Sequence, residues 1–116
     1  MPTYRVNEAG VRHARELIDA GEYDDTTEWS EAAPSTEERN EEIEEAGREE
    51  WSSWYLAVDP DVGERTKARF RVPYGDFSRV NRAALVHAKQ RASQNDHAEI
   101  ERAADELLER LEAKRG

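Results

Sequence analysis

The chain is 116 residues long, is 36% hydrophobic, and carries 27 acidic against 17 basic residues for a net charge of −10. That length fits one domain with one core, and the absence of cysteine excludes disulfides, thiolate metal sites and cysteine nucleophiles. No window approaches the roughly 18 to 20 apolar residues that cross a bilayer, and the N-terminus lacks a leader pattern, so the expected location is the cytoplasm with no membrane partner.

Only Lys67, Lys89 and Lys114 are lysines, and the other cations are arginines. An acid-rich, Lys-poor balance suits a halophilic protein whose carboxylate surface keeps it dissolved at high salt. Thermal unfolding in low and molar KCl checks this: the halophilic reading predicts a gain in stability with salt, and no gain contradicts it.

Taken in order, Tyr4-Arg5-Val6 reads as a short extended lead-in. Asn7 is an N-cap for a helix through about Ala20, with Val11, Ala14, Leu17 and Ile18 on one stripe and Gly21 at the left-handed C-terminal position. His13 stands off that stripe, an exposed or boundary histidine. From Asp24 to Glu64 fifteen acidic residues face only Arg39 and Arg48. Residues 24–34 read as a loop pinned by Trp29, after which Ser35 and Glu38 form a capping box for a helix to about Ala46, ended by Gly47. Ile43 is its only large apolar residue, so 24–47 is expected to be an acidic loop and a surface helix. Its glutamates lack the alternating ligands and glycine turn of a calcium loop and read as a solvated face.

Trp51, Trp54, Tyr55 and Val58 recur at helical spacing, which predicts a helix from Arg48 to about Val58, stopped by Asp59-Pro60. Asp61 would cap a short helical turn over 62–68. Between Arg65 and Arg91 eight cations oppose only Asp76, interleaved with Phe70, Tyr74 and Phe77. That composition suits a nucleic-acid surface, but the neighbouring acidic window makes internal neutralisation the favoured expectation. Phe70 to Phe77, with Pro73 and Gly75, predicts an extended strap. Asp76 or Ser78 would then cap an Ala-rich helix to about Ala92, with His87 on its small-residue face as a buried structural histidine. Asn95 or Asp96 would cap the last helix, striped by Ile100, Ala103, Ala104, Leu107, Leu108 and Leu111.

The expected fold is all-α: one domain over 1–116, a bundle of four to five helices with an aromatic-rich extended strap and a C-terminal helical hairpin over 78–114. Trp51, Trp54 and Tyr55 should be its nucleus, since aromatic side chains each bury on the order of 150 to 250 Å².

The glycines fit neither G-x-x-x-x-G-K nor G-x-G-x-x-G, and neither H-E-x-x-H nor G-x-S-x-G occurs. The expectation is therefore no catalytic, cofactor-binding or metal-binding residue. The leading reading is a non-enzymatic interaction module that binds a protein partner or itself through Trp54, Arg69, Arg71, Tyr74, Phe77, Arg79 and Arg82, residue types enriched at interface hot spots. Nucleic-acid or ribosome binding through Arg65 to Arg91 is the alternative, and a His-dependent enzyme centred on His87 is the third.

The runs Val6-Asn7-Glu8-Ala9-Gly10-Val11-Arg12-His13-Ala14, Tyr74-Gly75-Asp76-Phe77, Ala88-Lys89-Gln90-Arg91-Ala92 and Asn95-Asp96-His97 resemble a family of small stand-alone proteins of bacteria and haloarchaea. The resemblance spans nearly the whole chain and implies no catalytic residue, cofactor or substrate. More loosely, and over about half the chain, the order Trp, Tyr-Leu-Ala-Val-Asp, Lys-Ala-Arg-Phe, Val-Pro and an Ala-rich helix is similar to a module of tailed-phage head-assembly proteins.

Overall fold

A computed structural model describes residues 4–63 and 66–115. It corrects the all-α expectation: helices surround two small sheets. In the first, β3 (Tyr55–Val58) is flanked by β1 (Arg5–Val6) and β4 (Phe70–Pro73), all antiparallel. In the second, β2 (Tyr23–Asp24) and β5 (Val80–Asn81) run parallel.

The helix expected over Arg48–Val58 divides at its serines. A short helix α4 (Arg48–Ser52) ends where the Ser52 and Ser53 hydroxyls donate back to the carbonyls of Glu49 and Glu50, at 2.8 and 2.6 Å. The chain then extends as β3. Tyr55, Leu56 and Ala57 are all buried because β3 is the central strand with both faces covered, and an apolar run buried on both faces has no alternation to distinguish it from a helix. Asn7 closes the junction. Instead of capping α1 (Glu8–Asp19) with its side chain, it donates Nδ2 to the carbonyls of Ser52 and Tyr55, at 3.0 and 2.9 Å.

A short helix α2 (Trp29–Ala32) stands within the expected loop. It is followed by α3 (Thr36–Ala46), whose Ser35–Glu38 capping box is formed, with Gly47 beyond it at φ +91°. Of the helical turn expected over 62–68, Glu64 and Arg65 lie outside the described residues, and a single 3-10 turn spans Lys67–Arg69. The last two helices, α5 (Arg82–Gln94) and α6 (Ala98–Arg115), form a hairpin whose Arg82–Glu112 and Lys89–Asp105 contacts, at 2.5 and 2.7 Å, set an antiparallel register.

The start of α5 is a second correction. Neither Asp76 nor Ser78 caps it: Asp76 Oδ1 accepts from the amides of Ser78 and Arg79 and closes a turn. The cap is Asn81, buried, whose Oδ1 accepts from the Ala84 amide at 2.9 Å while Nδ2 donates to the Thr27 carbonyl at 3.1 Å.

The core joins the sheet to the helices. Trp51, Trp54 and Tyr55 are buried with Tyr74, and Ile18, Leu85, Leu107 and Leu111 come from α1, α5 and α6. Trp54 stacks on Tyr74 at 5.5 Å between centroids, with Phe77 edge-on at 6.0 Å. At Gly75 a Cβ would lie 2.4 Å from the Arg79 carbonyl oxygen and 2.6 Å from the Trp54 ring, so the turn closes only without a side chain. Among the described residues no helix is long and apolar enough to cross a membrane.

Candidate functional site

A cleft of about 560 Å³ lies between β4 and α5, reached also by α2, α3 and the loop before α6. Three arginines line it, each from a different element: Arg39 on α3, Arg71 on β4 and Arg91 on α5. His87 and His97 add two imidazoles, and Tyr4 and Trp29 add rings. No carboxylate is among the described lining residues.

Local structure explains how each group arrives. Alanines 84, 88 and 92 lie one turn apart on α5 and form a low floor, so His87 and Arg91 stand at its border. On β4 the ladder pairs Arg71 with Ala57 and Pro73 with Tyr55, while Val72 between them adopts φ +63°. That left-handed conformation is rare for a β-branched residue and costs on the order of 1 to 3 kcal/mol. It interrupts the alternation of faces in β4, and Arg71, Val72 and Pro73 all border the cleft.

Arg71 lies over the Tyr4 ring, 6.0 Å from its centroid, and His97 packs against the same ring with centroids 4.8 Å apart. At the other end, Tyr55 reaches the cleft from the core, and burial pushes its hydroxyl pKa up despite the opposing pull of the nearby Arg39 charge. Among the described residues no carboxylate oxygen lies within 4.0 Å of Arg39, Arg71 or Arg91.

The expected internal neutralisation takes a different form. Two cations of α5 pair with acids of α6, in Arg82–Glu112 and Lys89–Asp105, and not with the glutamates of α3. Arg110 chelates Asp19 of α1 at 2.6 and 2.7 Å, and Arg115 reaches Asp25 at 2.7 Å. Lys67 meets α3 through Asn40, a neutral side chain. Arg65 lies outside the described residues.

Of the seven residues expected to form a contact surface, only Arg71 lies in the cleft. Trp54 and Tyr74 are core residues, 3% and 0% exposed, and the Tyr74 hydroxyl donates to the Ser53 carbonyl at 2.7 Å. Arg69 donates to the Val62 carbonyl at 2.8 Å, Arg82 is held by Glu112, Phe77 is half-buried against Trp54, and Arg79 is exposed. His87 is exposed at the cleft border and not sealed between helices. His13 sits at a boundary, edge-on to Trp54 at 5.1 Å.

A shallower depression, bounded by Arg15, Glu106, Leu107, Glu109 and Arg110, mixes both charge signs, and Arg110 there is already held by Asp19. Comparison with known proteins returns no matching family model, no matching curated protein and no matching solved structure.

Proposed function

We propose that the chain is a binding protein and that it holds an anionic ligand in the cleft between β4 and α5. The observation that carries this reading is the meeting of Arg39, Arg71 and Arg91 around one concavity, with no carboxylate partner among the described residues. A chain of net charge −10 has acids in excess, and four other cations of α5 and α6, Arg82, Lys89, Arg110 and Arg115, are paired with them. Guanidinium groups suit phosphate and carboxylate groups through paired, charge-assisted hydrogen bonds. The volume lies within the range of roughly 300 to 1,000 Å³ typical of small-ligand sites.

Binding is favoured over catalysis by the same lining. His87 has the concavity that a general base needs, but the described lining gives it cations and rings as neighbours and no carboxylate to orient it. The expected protein-facing surface loses Trp54 and Tyr74 to the core, so the contact site is reassigned to the cleft.

Titration calorimetry with pyrophosphate at low ionic strength tests the reading. It predicts saturable one-to-one binding that weakens about tenfold or more in Arg71→Ala and in Arg91→Ala, since a hydrogen bond to a charged group contributes about 1.5 to 3 kcal/mol. Arg12→Ala, on the exposed side of α1, should bind as the parent does. Absence of binding at millimolar pyrophosphate, or binding by both cleft variants as tight as the parent's, would contradict it.

A further inference from the structure

Resting on the reading of the cleft as an anion site, we infer that its ligand is a single nucleoside phosphate, with the base on Trp29 and the phosphates on Arg71 and Arg91. Trp29 differs from the other two tryptophans: Trp51 and Trp54 are buried in the core, whereas Trp29 is half-buried and belongs to neither core cluster. It makes no ring contact among the described residues, yet it lines the cleft. A half-exposed indole on the wall of a cationic cleft is a stacking platform for a flat ring. Tyr4 serves differently, because Arg71 and His97 already pack on its ring.

The two kinds of group occupy opposite ends. Asn81, which opens α5, donates to the carbonyl of Thr27, and this bond holds the segment carrying Trp29 beside the first turn of that helix. Arg91 lies in the last turn, where His97 and Tyr4 also border the cleft, and Arg71 lies over Tyr4. The lining residues of α5 run from Ala84 to Ala92, a rise of about 12 Å at 1.5 Å per residue. The site is thus elongated, with a ring-binding end and a phosphate-binding end.

Charge selects a single nucleotide over a strand. Arg39 enters the cleft from α3, which also carries Glu37, Glu38, Glu41, Glu42, Glu44 and Glu45. A polyanion continuing past Arg39 would run over those carboxylates within the screening length of about 8 Å at physiological salt. A ligand that ends inside the cleft avoids them.

Calorimetry with ADP, GDP, CDP and UDP, with pyrophosphate as the ringless comparator and a ten-nucleotide RNA as the polymer, tests the inference. At least one diphosphate should bind one-to-one at least tenfold more tightly than pyrophosphate, about 1.4 kcal/mol. Trp29→Ala should abolish that advantage and leave pyrophosphate binding unchanged, and Trp29→Tyr should keep most of it. The RNA should bind no more tightly than the best diphosphate. If pyrophosphate binds and no diphosphate exceeds it, the nucleotide assignment fails while the anion site stands; if neither binds, both fail. RNA binding tenfold tighter than any diphosphate, with a steep salt dependence, would replace the nucleotide by a strand.

Discussion

Asn81 shows how much of this fold one buried polar residue carries. Its oxygen caps α5 through the Ala84 amide, its amide nitrogen donates to the Thr27 carbonyl, and its backbone lies in β5 beside Asp24 of β2. Asn81→Ala removes a cap and leaves the Thr27 carbonyl without its donor, which should cost about 2 to 3 kcal/mol in urea unfolding. A loss below about 0.5 kcal/mol would contradict this role. The tyrosines give a second residue-scale test. Burial pushes the pKa of Tyr74 far up, with Glu50 and Glu16 adding to the shift, and burial raises that of Tyr55. An unfolded tyrosine ionises near pH ~10, so a raised folded value means stability is intact below about pH 10 and is lost progressively above it. Tyrosinate absorbance for these two rings should therefore appear together with loss of helical circular dichroism, not ahead of it.

At the scale of elements, the ends of α1 and α3 were readable in the sequence, whereas the expected side-chain caps at Asn7, Asp76 and Ser78 do not form. Ser35 with Glu38, Gly21 and Gly47 mark helix ends where the sequence places them, and the stripe of α6 is buried at Ile100, Leu107 and Leu111. What misled was Trp51 to Val58. Its aromatic spacing fits a helix, but Tyr55, Leu56 and Ala57 are buried as the middle strand of three. The partners that make a strand there, Arg5–Val6 and Phe70–Pro73, are distant in sequence and short, and local periodicity carries no information about them. Leu56→Ala should cost about 3 to 4 kcal/mol, the range for a fully buried leucine. A loss under about 1 kcal/mol would mean that β3 is not the packed centre described. The strand also explains why Trp54 and Tyr74 left the expected surface: each extends from the end of a paired strand into the core.

At the scale of the molecule, the distribution of charge was legible but its pairing was not. The acidic window and the basic segment are adjacent in sequence, which predicts that they neutralise one another. In the fold, the hairpin register brings Arg82 and Lys89 to Glu112 and Asp105, and α3 exposes Glu37, Glu38, Glu41, Glu44 and Glu45, with Glu42 half-buried. The cleft was less legible still. Tyr4, Trp29, Arg39, Arg71, Arg91 and His97 come from separate parts of the chain, and no spacing motif could announce them. Two signals were present in retrospect: a tryptophan isolated in a polar loop, and one of only two arginines in an acidic window. Each is unexplained by core packing or by the local charge pattern, and both line the cleft.

The central claim, that this acidic chain gathers unpaired arginines around one cleft to hold an anion, is tested most directly by mapping where an anion binds. In a ¹H–¹⁵N correlation titration with pyrophosphate, the amides of Arg71, Val72, His87, Arg91 and His97 should shift together and saturate with one affinity. Amides of Arg15, Glu106 and Arg110, around the mixed-charge depression, should not move. Shifts centred on that depression, or the absence of any saturating cluster, would contradict the account.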